Sequence, residues 1–125
     1  MNNYHFSQRS LDKLQGVHPE LVLVASRALL YSDYDFAVTH GVRTVEEQER
    51  LVAEGKSKTM NSYHLTGDAI DIMVYRDGKG SWLFEHYETV ARAFKRAAEE
   101  LQVDLTWGGD WTTFKDGPHF QRARD

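Results

Sequence analysis

The chain has 125 residues, the length of one ordinary domain, and 41% of them are hydrophobic, which is enough to form a core. Fifteen Lys and Arg stand against nineteen Asp and Glu, and the resulting net charge of −4 argues against a general nucleic-acid binder. The absence of cysteine excludes disulfide scaffolds, thiolate metal sites and cysteine nucleophiles. Any transition-metal site must therefore use carboxylates and the six histidines.

The sequence shows no targeting or membrane segment. The first residues lack the apolar stretch of a signal peptide, and no segment has the roughly 20 apolar residues that a membrane span needs. Internal repeats, low-complexity tracts and linkers are also absent from the sequence. We therefore expect a cytoplasmic protein without membrane insertion, formed by a single domain over residues 1–125.

The first half of the chain predicts three helices and one strand. Ser10 is predicted to cap a short helix, and Pro19 lies just inside the start of a longer one. Residues 35–40 have the composition of a strand. Thr44, followed three residues later by Glu47, matches the capping box that begins a third helix.

The second half predicts three more strands and one long helix. The strands are expected at residues 69–75, 104–107 and 119–121. A turn is expected at residues 77–80, and Ser81 is predicted to cap a helix whose apolar face runs from Leu83 to Leu101. Because strands and helices do not alternate regularly, a doubly wound parallel sheet is not expected. The pattern predicts an α+β fold, with a small, mainly antiparallel sheet packed with helices.

Asp71 is unusual because it lies in an apolar strand, between Ile70 and Ile72. If these isoleucines face the core, alternation places Asp71 on the opposite face. A carboxylate in an apolar neighbourhood needs a partner, because an unpaired buried charge is costly. That partner is either an arginine or a metal ion, for which His64, just before the strand, offers a nitrogen.

A second candidate cluster lies near the C-terminus. His119 opens a predicted strand, and Asp116 precedes it across a Gly-Pro turn, so the carboxylate can lie near the same centre. Two imidazoles and one carboxylate with an open fourth position are typical of catalytic zinc sites. A separate acidic residue would then serve as general base. Asp110 is a rival acid near this cluster, which would either orient a ligand histidine or cap a turn. Spacing alone equally allows surface or capping histidines.

Taken together, these residues form patterns that resemble a known family. The longest pattern, S-x-H-x-x-G-x-A-x-D, is met at Ser62, His64, Gly67, Ala69 and Asp71. Two shorter patterns, G-x-R-T upstream and D-x-x-H downstream, are met at Gly41, Arg43 and Thr44 and at Asp116 and His119. The chain resembles the zinc peptidases that include D-Ala-D-Ala carboxypeptidases, vancomycin-resistance dipeptidases and bacteriophage L-alanyl-D-glutamate endolysins.

The resemblance implies a site and a fold. One zinc ion would be held by His64, Asp71 and His119, with Asp116 as general base and Arg43 stabilising the oxyanion. Ser62 is part of the motif and would contact the ligand residues or the substrate. The fold implied is that of D,D-peptidases and Hedgehog domains. The other family branches use Glu at the position of Asp116, so the Asp is more similar to phage endolysins.

The remaining candidates have mostly structural interpretations. Trp107 and Trp111 flank a Gly-Gly turn ahead of the site and are candidate substrate-binding residues, with core packing as the alternative. Trp82 is expected in the core. The charged run over residues 46–50 is expected to be a solvated helix face. The other four histidines match no ligand position, and we expect no functional role for them.

The function implied by the resemblance is hydrolysis of the L-alanyl-D-glutamate bond in peptidoglycan stem peptides. The enzyme would be a monomeric phage endolysin that accumulates in the host cytoplasm and reaches the wall through a holin. One alternative is a D,D-carboxypeptidase or D,D-dipeptidase that acts on D-Ala-D-Ala termini with the same zinc. A second alternative is a non-catalytic binding domain that retains the fold.

Overall fold

The computed structural model describes residues 2–124. Met1 and Asp125, the two ends of the predicted domain, lie outside the described residues. The helices are α1 (Gln8–Lys13), α2 (Pro19–Tyr31), α3 (Val45–Ala53) and α4 (Phe84–Leu101). The strands are β1 (Asp35–His40), β2 (Ala69–Arg76), β3 (Lys79–Ser81), β4 (Leu105–Trp107) and β5 (His119–Arg122). Two short 3₁₀ helices span Tyr63–Thr66 and Gly108–Asp110.

The five strands form one sheet in which every pairing is antiparallel. Its order is β1-β2-β5-β4, and β3 also pairs with β2 as the second strand of a hairpin. Helices α2 and α4 pack against each other. This arrangement confirms the predicted α+β fold with a small antiparallel sheet. No helix within residues 2–124 is long and apolar enough to cross a bilayer.

The core lies between the helices and one face of the sheet. Ile70, Ile72 and Val74 of β2 are almost completely buried there, as strand alternation predicts. Phe94 of α4 stacks on Phe120 of β5 with 3.9 Å between ring centroids, and neither ring is exposed. Asp71 therefore lies on the other face of β2, which is free to form a site.

Two predicted helix caps are wrong by a few residues. Ser7, not Ser10, accepts the capping hydrogen bond of α1, while the buried Ser10 hydroxyl accepts a 3.1 Å bond from the Val38 backbone N–H. Helix α4 begins at Phe84 without a side-chain cap, because Ser81 belongs to β3. The Ser10 hydroxyl thus binds a neighbouring strand, whereas the Ser81 hydroxyl contacts the Leu83 backbone N–H and His86 Nδ1 at the start of α4.

The shorter α4 also changes the predicted core. Trp82 and Leu83 lie before the helix, and their side chains are 74% and 56% exposed rather than buried. The predicted turn at residues 77–80 is a tighter hairpin, since β3 already begins at Lys79. The segment between β3 and α4 therefore presents apolar side chains to solvent, beside the face that carries Asp71.

The stacked pair at the centre of the core gives a stability test. Replacing Phe94 with Ala removes the ring packed on Phe120 and leaves a cavity, so the free energy of unfolding should fall by about 3–5 kcal/mol. Urea denaturation measures this change. The control is Leu23→Ala on the exposed side of α2, where Leu23 is 56% exposed and the expected change is within about 0.5 kcal/mol. Equal effects of the two variants would contradict the described core.

Candidate metal centre and cleft

Strand register places three titratable residues in one row across the sheet. Asp71 in β2 is paired with His119 in β5 on one side. On the other side it is paired with His40 in β1, where the register shifts by a bulge between Val38 and His40. Directly opposed residues of antiparallel strands point to the same face. Asp71 therefore has an imidazole beside it on both neighbouring strands.

His64 reaches this row from the 3₁₀ helix that precedes β2. Ser62 caps that helix, and its hydroxyl accepts a 3.2 Å hydrogen bond from the His64 backbone N–H. Gly67 ends it in a left-handed conformation with φ +75°, and a Cβ there would lie 2.6 Å from the Gly16 carbonyl oxygen. The motif glycine is therefore required by a close backbone approach.

The side chains of His64, Asp71 and His119 converge on one point. His119 Nδ1 lies 3.1 Å and His64 Nε2 lies 3.4 Å from Asp71 Oδ1. One ligand atom from each residue lies within 4.8 Å of the others, so the group can hold a metal ion. The structure thus brings together the three residues predicted as ligands. It pairs Asp71 with histidines, rather than with the arginine that the sequence also allowed.

The outer nitrogen of each imidazole is held by an oxygen. His64 Nδ1 lies 2.9 Å from the Gly41 carbonyl oxygen, and His119 Nε2 lies 2.8 Å from Gln121 Oε1. An oxygen acceptor fixes the hydrogen on the outer nitrogen and leaves the inner lone pair for a metal. A Cβ at Gly41 would lie 1.9 Å from the Lys13 carbonyl oxygen, so only glycine allows this approach.

The charges of the cluster are mutually stabilised. Burial alone would raise the pKa of the Asp71 carboxyl, but hydrogen bonds from His119 and His64 outweigh burial and hold that pKa well below its usual range. Burial alone would lower the pKa of His119, but Asp71 outweighs it and raises that pKa. The ionised Asp71 thus stabilises a positive charge beside it, whether a proton or a metal ion.

The cluster lies in an open cleft of about 680 Å³. Side chains that line it include those of Arg43, Lys56, Lys58, Ser62, Trp111 and Asp116. The Asp116 carbonyl accepts a 3.2 Å hydrogen bond from the His119 backbone N–H, which ties the acid to a ligand residue. Partial burial, and then repulsion by Asp71, raise the pKa of the Asp116 carboxyl. Asp116 therefore lies beside the centre, as its spacing predicts.

Arg43 is positioned by Gln48, which the sequence predicted to lie on a solvated helix face. Gln48 is completely buried, and its Oε1 accepts a 2.8 Å hydrogen bond from Arg43 Nη1. Its Nε2 donates to Ser57 Oγ and to the Thr59 carbonyl oxygen. The run over residues 46–50 is therefore not entirely a solvated face. The Arg43 backbone N–H also donates to the His64 carbonyl oxygen, at 3.0 Å.

The two candidate tryptophans lie in different environments, one in the cleft and the other in the core. Trp111 lines the cleft, with its ring centroid 5.3 Å from that of His119. Trp107 is 5% exposed, and its Nε1 donates a 2.7 Å hydrogen bond to the Gly117 carbonyl oxygen. The interpretation of Trp107 as a substrate-binding residue is therefore corrected: core packing encloses its ring, and it supports the turn that carries Asp116.

The rival acid and the remaining histidine near the site take other positions. Asp110 forms a 2.8 Å ion pair with Lys95 of α4 and does not line the cleft. His40 Nδ1 lies 3.8 Å from Asp71 Oδ2, with 63% of its side chain exposed.

Gln121 is a site residue that the sequence did not predict. It follows His119 by two residues and therefore lies on the same face of β5. This two-residue spacing from a predicted ligand is the signal that could have identified it.

Comparison with known proteins identifies the family. The family model described as phage L-alanyl-D-glutamate peptidase matches residues 2–122. The chain belongs to this family. Its relatives include the L-alanyl-D-glutamate peptidase of Escherichia phage T5, which is 40% identical over 118 residues, covering 91% of this chain and 86% of that protein.

Solved structures agree with the family assignment. The crystal structure of the Serratia marcescens L-Ala D-Glu endopeptidase ChiX has 43% sequence identity and a TM-score of 0.90, covering 97% of this chain and 92% of ChiX. The vancomycin-resistance D,D-dipeptidase VanXYg has 17% identity and a TM-score of 0.51, covering 85% of this chain and 50% of its own. This second match shows the fold alone and confirms the fold expected from the resemblance to D,D-peptidases.

The hydrogen bond on the outer nitrogen of His119 gives a test of the centre. Gln121→Leu removes the acceptor, so zinc affinity should fall about 10- to 100-fold while the fold is kept. Gln121→Glu retains an oxygen acceptor and should bind zinc nearly as well as the wild type. Competition with a chromogenic chelator measures the affinity, and circular dichroism checks the fold. Unchanged affinity in Gln121→Leu would contradict the role of Gln121.

Proposed function

We propose that this protein hydrolyses the L-alanyl-D-glutamate bond of peptidoglycan stem peptides. Family membership supports the reaction, since the relatives from phage T5 and Serratia are named for that bond. The observation that carries the proposal is the convergence of His64, Asp71 and His119 in an open cleft that Asp116 also lines. A non-catalytic binding domain would not need this set beside a cleft.

The proposed metal is one zinc ion, held by His64, Asp71 and His119. Two imidazoles and one carboxylate are a common catalytic zinc set, and they leave a fourth position open. The chemistry of the donors fits, because both outer nitrogens have oxygen acceptors and the carboxylate is ionised. When bound, zinc would polarise the scissile carbonyl and lower the pKa of a water molecule.

Asp116 and Arg43 supply the proton transfer and the charge stabilisation. Asp116 accepts a proton from the attacking water and delivers it to the leaving amine of D-glutamate. The raised pKa of its carboxyl suits a group that must both take up and release a proton. Arg43, held by Gln48, donates hydrogen bonds to the oxygen that becomes negative in the tetrahedral intermediate.

Ser62 and Trp111 complete the proposed substrate contacts. Both line the cleft beside the ligands. Ser62 also holds the backbone of His64, so its hydroxyl has a positioning role in addition to any substrate contact. The D,D-peptidase alternative has only the fold likeness to VanXYg in its favour.

We also propose host lysis as the biological role, with a holin providing passage from the host cytoplasm to the wall. Relatives encoded by Escherichia phage T5 and Listeria phage A118 support a phage origin for this reaction. A monomer is sufficient for the proposed chemistry, because the ligands, Asp116 and Arg43 all line one cleft of one chain.

Replacing Asp116 tests the reaction and the base together. Asp116→Asn should lower kcat by about 100- to 10,000-fold while zinc content is kept, because the amide cannot accept the proton. The matched control is Asp110→Asn, in the same segment but paired with Lys95, which should retain activity. Mass spectrometry of digested muropeptides gives the rate and the bond. Release of D-Ala with the L-Ala–D-Glu bond intact would contradict the proposal.

Zinc affinity should depend on pH through His119. Imidazole must be neutral to bind a metal, and Asp71 raises the pKa of His119 above its ordinary value of about 6.5. Zinc binding should therefore weaken as pH falls through that raised pKa, by at least about tenfold per pH unit below it.

Calorimetric titration between pH 8 and pH 5 measures this dependence. His40→Ala is the control, since His40 lies beside Asp71 but outside the proposed ligand group, and it should give the wild-type pH profile. A zinc affinity that stays flat down to pH 5 would contradict the assignment of His119 as a ligand.

A further inference from the structure

A second groove of about 260 Å³ begins on the other side of the metal centre. Asp71 and Asp116 line both this groove and the main cleft, so the two depressions adjoin at these two carboxylates. Its remaining walls include Trp82, Met73 and Pro118, and we call it the Trp82 groove. A substrate whose scissile bond lies at the centre can therefore extend into both depressions.

The two depressions differ in charge. Arg43, Lys58 and Lys56, the last paired with Glu54 at 3.1 Å, line the main cleft, whereas no Lys or Arg of residues 2–124 lines the Trp82 groove. The ionisable groups of the Trp82 groove are Asp71, Asp116 and the exposed His40. An anionic segment is therefore favoured on the lysine side and disfavoured on the Trp82 side.

The proposed substrate has the same asymmetry. A glutamyl residue has two carboxyl groups and uses at most one to continue the chain, so at least one free carboxylate lies on the D-glutamate side. On the other side, the L-alanyl end is attached by an amide to the amino sugar of the glycan and carries no free carboxylate. Charge complementarity thus directs D-glutamate towards Lys58 and the glycan towards Trp82.

Trp82 has the exposure expected of a sugar-binding residue. Its side chain is 74% exposed, although burial of a large aromatic ring would favour folding. An exposed aromatic ring with an apolar face and a polar N–H is typical of binding surfaces. We infer that the Trp82 groove binds the amino sugar that carries the stem peptide, an inference that rests on the proposed function.

A pair of substrates tests this inference. One is a muropeptide that keeps its sugar, and the other is the same stem peptide without sugar and with an acetylated alanine. Trp82→Ala should lower kcat/KM about tenfold on the sugar-bearing substrate and leave the free peptide within about twofold of the wild-type value. Trp82→Phe keeps an aromatic ring and should retain most of the activity on both substrates.

Two further variants test whether the effect is specific to Trp82 and which end of the substrate lies in each depression. Leu83→Ala changes the adjacent exposed side chain, which does not line either depression, and should affect neither substrate. Lys58→Ala should lower kcat/KM on both substrates to a similar extent, because both contain D-glutamate. If Lys58→Ala lowered kcat/KM only on the sugar-bearing substrate, the sugar would lie on the lysine side of the centre. That result would overturn the inference.

The remaining outcomes separate this inference from the proposed function. In one outcome, the wild-type enzyme cleaves both substrates at the L-Ala–D-Glu bond while Trp82→Ala affects both equally or neither. That result would overturn the assignment of the Trp82 groove and leave the proposed function intact. Wild-type enzyme that leaves this bond intact in both substrates would overturn the proposed function, and the inference with it.

Discussion

The Asp71 carboxylate, held between the imidazoles of His64 and His119, is the interaction on which the site depends. Asp71 Oδ1 lies 3.1 Å from His119 Nδ1 and 3.4 Å from His64 Nε2, and regular backbone structure places all three residues. His119 is the direct partner of Asp71 in the β2–β5 register, and His64 is fixed by the 3₁₀ helix just before β2. A shift of β5 by one residue would turn His119 to the opposite face and remove the site.

The groups proposed for catalysis are hydrogen-bonded to the backbone of His64 and His119, the two histidines proposed as metal ligands. Arg43 donates its backbone N–H to the His64 carbonyl oxygen, and Asp116 accepts the backbone N–H of His119. Buried side chains then support each of them: Gln48 holds the guanidinium of Arg43, and Trp107 holds the turn that follows Asp116. The cleft is therefore built around the group of His64, Asp71 and His119, to which both Arg43 and Asp116 are hydrogen-bonded.

The sequence predicted the elements whose signals are local and periodic. The capping box at Thr44, the strand around Asp71 and the strand beginning at His119 are all present in the structure. The predicted ligands also converge, because motif spacing and strand register agree. What the sequence did not predict depends on tertiary neighbours: Trp82 is exposed because α4 begins at Phe84, and Gln48 is buried because Arg43 and the following loop satisfy its amide.

X-ray diffraction from zinc-loaded crystals, collected on both sides of the zinc absorption edge, tests the metal centre most directly. The account predicts one anomalous peak bonded to His64 Nε2, His119 Nδ1 and an Asp71 oxygen, at about 2.0–2.2 Å from each atom. Gln121 and the Gly41 carbonyl should keep their hydrogen bonds to the outer nitrogens. A peak located away from these three residues, or one ligated by His40 in place of His64 or His119, would contradict it.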